Sequence, residues 1–88
     1  MFLIKANDGV HKYIAIFPNK RVPFGNISYE DYTIHHDKER RKLYLSRHET
    51  RENWNDPYSA GALSRWILWG DSISLQTNLN SFKKRFSV

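Results

Sequence analysis

Cysteine is absent from the 88 residues, and with it go disulfide staples, thiolate zinc sites and thiol nucleophiles. Glycine and proline number only four and three, which excludes a low-complexity or disordered composition. The glycines (Gly9, Gly25, Gly61, Gly70) stand singly, so no Gly-rich loop is available to cradle phosphate. No stretch approaches the roughly 18 apolar residues of a membrane span, and Phe2-Leu3-Ile4 is too short for the apolar core of a signal peptide. These absences fit an intracellular, non-secreted protein. What is present is a dense apolar supply, with hydrophobic residues at 40% and aromatics at 15%. A chain of this length buries only about two thirds of its unfolded surface, so such a supply is what one compact domain, residues 1–88, requires.

Charge is unevenly spread. The net charge is +5, from 14 Lys and Arg against 9 Asp and Glu. Residues 1–22 carry Lys5, Lys12, Lys20 and Arg21 against Asp8. Residues 37–52 carry Lys38, Arg40, Arg41, Lys42, Arg47 and Arg51 against Asp37, Glu39, Glu49 and Glu52. The tail, Lys83-Lys84-Arg85, has no acid beside it. Basicity of this kind suits a polyanionic partner without demanding one.

The order of elements predicts an α+β fold, a small N-terminal three-stranded antiparallel sheet followed by three α-helices. Phe2-Leu3-Ile4 and His11–Phe17 are β-branched and aromatic runs separated by the turn tripeptide Asn7-Asp8-Gly9. Pro18-Asn19-Lys20 makes the next turn, and Arg21–Gly25 a third strand, placed at an edge because Pro23 lacks an amide donor. Residues 28–33 have no clean period and read as an ordered loop anchored by Tyr29 and Tyr32. Asp37 is a candidate N-cap for a helix from about Lys38 to Thr50, half-buried on a face shared by Arg41, Leu45 and His48. Asp56-Pro57 reads as an N-cap and first residue of a second helix, apolar at Ala60, Leu63, Trp66 and Ile67 and ended by Gly70 as a C′ glycine. Asp71, Ser72 or Ser74 caps a third helix with the stripe Leu75, Leu79, Phe82 and Phe86.

Little in the sequence suggests catalysis. His35, His36 and His48 lack the second ligand cluster and anchored base of a metal-dependent centre, and fit a helix boundary and a packing role instead. Ser59, Ser64 and Ser74 lie in no nucleophile-elbow motif. No enzyme activity, cofactor, metal or small-molecule substrate is expected. The strongest functional pattern is Lys38, Arg40, Arg41, Tyr44, Arg47 and Arg51, in which Arg40, Tyr44, Arg47 and Arg51 recur at helical spacing. Guanidiniums on such a ridge bind phosphate bidentately or read guanine edges. Lys83, Lys84 and Arg85 form a second candidate clamp. The plainer alternatives are a solvated helix face balanced by Glu39, Glu49 and Glu52, and cations complementing a helix C-terminus. Trp66 fits the core, and Trp54 a position over the end of the second helix.

The strings Tyr13–Phe17, Phe24-Gly25, Asp31–His35, Arg47-His48, Glu52–Pro57, Ala60–Trp69 and Phe82–Phe86 together resemble a family of small uncharacterised proteins of nucleocytoplasmic large DNA viruses. The resemblance runs from about Lys12 to Phe86 and assigns nothing to Met1–Val10. It implies no activity and defines no catalytic residues. It implies instead an accessory DNA-binding protein or a minor capsid-associated virion component, in the virion or the cytoplasm or nucleus of an infected cell. In the first reading the basic helix and tail contact nucleic acid. In the second, Tyr29, Trp54 and Trp69 anchor contacts with other virion proteins.

Overall fold

The computed structural model describes all residues, Met1–Val88. Its sheet holds β1 (Phe2–Lys5), β2 (His11–Phe17) and β3 (Lys20–Asn26) in the order β1-β2-β3, antiparallel throughout. The Asp8 carboxylate accepts the amides of Val10 and His11 at 2.9 and 2.8 Å and closes the first hairpin. Those bonds and the His11 ring hold the Asp8 carboxyl well below the usual range. Pro18-Asn19 forms the second hairpin turn between the paired residues Phe17 and Lys20. Pro23 sits on the edge strand, where its missing amide costs no ladder bond.

Gly25 does not end its strand as expected; β3 runs on to Asn26 through a glycine at φ +76°. The register pairs Tyr13 with Phe24 and His11 with Asn26, skipping Lys12 and Gly25. Any Cβ at Gly25 would also lie 2.9 Å from Leu68 Cδ1. The kink therefore needs glycine for both conformation and room.

Residues 28–33 are not simply a loop. Asp31 is buried and caps a single helical turn, α1 (Tyr32–His35), while Tyr32 enters the core and Tyr29 stays exposed. α2 (Lys38–His48) starts at the expected cap, Asp37, whose carboxylate accepts from Glu39 and Arg40 amides. The second predicted helix begins later than expected. Ser59, not Asp56, is its cap, and α3 spans Ala60–Leu63. The Asp56 side chain instead accepts from the Tyr58 amide at 3.0 Å, the two-residue Asx turn that competes with helix capping.

α3 continues without a break into a π-helical turn, Ser64–Leu68, closed by the Trp69 amide on the Ser64 carbonyl at 2.9 Å. The wider turn brings Leu63, Ile67 and Leu68 all into the core. Gly70 is not a left-handed C′ glycine, since its φ is not positive. It is needed for space: a Cβ there would lie 2.4 Å from the Trp66 carbonyl and 2.6 Å from Asn78 Cγ. α4 (Leu75–Phe86) is capped by Ser74 and buries Phe82, with Leu75, Leu79 and Phe86 packed beside it.

Ala15, Phe17, Val22 and Phe24 on the inner sheet face meet Leu63, Ile67, Leu68 and Phe82 to form the core. The opposite sheet face presents Phe2, Ile4, Ile14, Ile16 and Pro23 with no layer over it. No helix is long and apolar enough to cross a membrane.

Candidate functional site

α2 buries no residue completely, and what holds it is a stack of rings along its inner side. Tyr44 lies on Trp69 with centroids 4.1 Å apart and planes 3° from parallel, and His48 stacks on the other side of the contact at 4.1 Å. His35 joins Trp69 at 5.3 Å, and Tyr32 follows at 6.3 Å. Such contacts add stabilisation beyond the area they bury. Arg41 fastens the same seam: its Nε donates to the carbonyls of Trp69 and Gly70 at 3.1 and 3.0 Å, and its Nη2 pairs with Asp71 at 2.8 Å. Burial, with the Glu52 charge second, pushes the Tyr44 phenol well above its usual range. Burial and then Arg40 push His35 down, and its Nδ1 accepts the Asp37 amide at 2.9 Å. No three His, Asp or Glu side chains come together to hold a metal ion.

Between α2 and the far ends of β2 and β3 the chain leaves a cleft of about 500 Å³. Tyr44, Trp69 and Leu68 form its back, Arg40, Leu43 and Arg47 one side, and Lys12 and Asp31 the other. Lys12 Nζ and Asp31 Oδ2 are 2.6 Å apart and nearly buried, so this carboxylate reaches the cleft already neutralised and also caps α1. Glu30 lies at the rim, 3.5 Å from Arg40, both side chains about half exposed. Such a pair contributes little.

The nine predicted contact residues are not gathered in one place. Arg40, Tyr44 and Arg47 line the cleft. Lys38 and Arg41 border a second depression that includes Glu39 and Glu49. Lys84 and Arg85 border a third, beside Thr77 and Ser81 on α4 and Trp66 of the π turn. Arg51 and Lys83 line none of the three; the Arg51 Nε donates back to the Arg47 carbonyl at 3.2 Å. Two of the nine are committed to the fold itself: Tyr44 to its ring stack and Arg41 to the carbonyls that end the π turn. Arg85 is stacked 3.8 Å from the Trp66 ring centre, which Arg65 also approaches at 4.1 Å.

The three tryptophans divide differently from the anchoring role expected of Trp54 and Trp69. Trp69 is buried in the ring stack. Trp54 is half-buried, its indole N–H donating to Glu52 at 3.1 Å and its carbonyl accepting from Trp66 at 2.8 Å. Trp66, expected in the core, is only partly buried at its edge. Tyr29 is the aromatic left free, 71% exposed at the mouth of the cleft.

Sequence reasoning passed over Lys12, Asp31 and Glu30 as parts of a site. The available signal was Asp31-Tyr32-Thr33 before a histidine pair, a capping pattern hidden by the shortness of α1. The partnership with Lys12 had no local signal, because 19 residues separate the pair.

No curated protein and no solved structure matches the chain. The pattern of a family of unknown function (DUF5754) matches residues 2–48, just over half the chain. It takes in β1, to which the sequence resemblance assigned nothing, and runs through the sheet, α1 and α2. The chain therefore belongs to this family of unknown function.

Proposed function

We propose that the protein is a non-enzymatic, virus-encoded basic module that binds nucleic acid, DNA in the first instance, through α2 and the C-terminal basic segment. The observation that carries this reading is how little the acids of residues 37–52 neutralise the bases around them. Asp37 caps the helix, Glu52 pairs with His48, and Glu39 and Glu49 form no ion pair. Lys38, Lys42 and Arg47 on α2, with Lys83 and Lys84 on α4, likewise have no carboxylate within 4.0 Å. Cations without a close carboxylate, on a protein of net charge +5, favour a polyanion. The resemblance to giant-virus proteins supports a place in the infected cell or the virion.

Fluorescence anisotropy of labelled DNA, titrated from about 50 to 300 mM salt, tests the reading. The expected result is micromolar binding that weakens linearly on a log–log salt plot, with a slope reduced by about one for each of Arg40→Ala and Arg47→Ala. Binding already lost at about 150 mM salt refutes it.

A second reading, a minor virion protein making protein–protein contacts, is favoured by the uncovered apolar sheet face. Phe2 is 57% exposed and Ile4 38% exposed there, beside Ile14, Ile16 and Pro23. It predicts co-sedimentation with a viral protein that Phe2→Ser abolishes and added salt does not.

A further inference from the structure

The cleft beside α2 has features that phosphate contacts alone do not use. Its size lies within the ordinary range of small-molecule pockets, about 300–1,000 Å³. Its back is apolar and aromatic, formed by Leu68 and the parallel rings of Tyr44 and Trp69. At the mouth stand two exposed apolar groups that nothing covers, Tyr29 at 71% and Leu43 at 51%. The Tyr29 hydroxyl makes no hydrogen bond and its ring stacks on no other ring, so it is spent on nothing inside the fold.

We infer that this cleft receives one unstacked nucleobase, so that the protein binds single-stranded nucleic acid in preference to duplex. The inference rests on the nucleic-acid reading and adds to it the state of the ligand. Arg40 and Arg47 border the cleft from one helix, about 10 Å apart along its axis, with Tyr44 between them. That arrangement offers one guanidinium to the phosphate on each side of an inserted base. The Tyr29 ring, carried on the segment after β3, is placed at the opening to lie against the base face. Stacking of this kind tolerates any base, because each has a π face.

The inner carboxylate does not oppose the ligand, since Lys12 neutralises Asp31 at 2.6 Å. Glu30 holds Arg40 only through a long, exposed contact, so an incoming phosphate displaces it at small cost. A base inside a duplex is excluded from the cleft until it leaves the stack, which a duplex resists and a single strand does not. A basic surface reading phosphates alone has no such preference.

The test uses the full chain and three labelled probes of about ten nucleotides: a single strand, the matching duplex, and the same strand made abasic at its central positions. Tyr29→Ala is compared with the unaltered protein, its folding checked by thermal melting. The expected result is single-strand binding at least about 10-fold tighter than duplex binding. Tyr29→Ala and the abasic strand then each lose about 5- to 100-fold, with the salt slope unchanged because no phosphate contact has gone. Equal affinity for duplex and single strand, or no effect of either base removal or Tyr29→Ala, overturns the pocket while leaving the phosphate-binding reading standing. Absence of salt-dependent binding to any of the probes overturns both.

Discussion

Asn78 is the one buried amide in the helical layer, 3% exposed, and replacing it by aspartate exchanges its amide NH2 for oxygen with almost no change of shape. Its Nδ2 donates to the carbonyls of Ile67 at 2.9 Å and Ser72 at 2.7 Å, and its Oδ1 accepts the Ser72 amide at 3.0 Å. One side chain thus ties the end of the π turn and the following bend to α4. Asn78→Asp keeps the acceptor and removes both donors. Two carbonyls are left without partners, at about 1–3 kcal/mol each, so the loss is about 2–6 kcal/mol before any charge is counted. For a domain of this length 1 kcal/mol moves the melting temperature by about 4–8 °C, which places the shift at about 10 °C or more. The new carboxyl also faces two carbonyl oxygens in a buried site, which raises its folded pKa above the unfolded value of about 4. A group with a raised folded pKa stabilises most at low pH and loses that contribution as pH rises through the folded value. The deficit relative to the unaltered protein is therefore smaller at pH 5 than at pH 8. Asn78→Ala supplies the control, since it removes the same two donors, and the acceptor of the Ser72 amide with them, but has nothing to titrate. Melting curves of the three proteins by circular dichroism at both pH values read all of this. An Asn78→Asp protein that melts within about 2 °C of the parent, or whose deficit is the same at both pH values, refutes the account of the site.

Ser59→Ala is expected to cost about 1 kcal/mol by removing the α3 cap, whereas Asp56→Ala, which loses only an exposed turn contact, stays within about 0.5 kcal/mol; urea denaturation ranks them, and the reverse order refutes the helix start. His35 has a folded pKa depressed by burial, so it contributes stability above about pH 6.5 that is lost as pH falls toward the folded value. His35→Phe keeps a ring against Trp69 and removes the titration. Melting temperatures from pH 7.5 down to 5.5 are then expected to fall less steeply in the variant than in the parent, and parallel curves refute the assignment.

Where order along the chain settles the matter, the sequence alone was enough. The alternation in residues 11–17, the Asp8-Gly9 turn and the edge position of Pro23 each depend on groups within a few residues of one another, and the sheet follows from them. The cap of α2 and the stripe of α4 are equally local, whereas the cap of α4 was left open among Asp71, Ser72 and Ser74 until the structure placed it at Ser74. The α3 start failed at the local level too, because Asp56 and Ser59 both offer capping oxygens and only the packing of the chain chose between them. The π turn has no sequence signature; it exists because Leu63, Ile67 and Leu68 must all face the sheet.

The candidate site shows the same division. Arg40 and Arg47 were legible as a ridge because helical spacing fixes their common side. What the tertiary structure alone decided was their company: Tyr44 turned inward onto Trp69, Arg41 bound to carbonyls 28 and 29 residues away, and Lys12 paired with Asp31 in the wall of the cleft. The unpaired state of Glu39 and Glu49 belongs to it as well, because composition counts charges and only geometry pairs them.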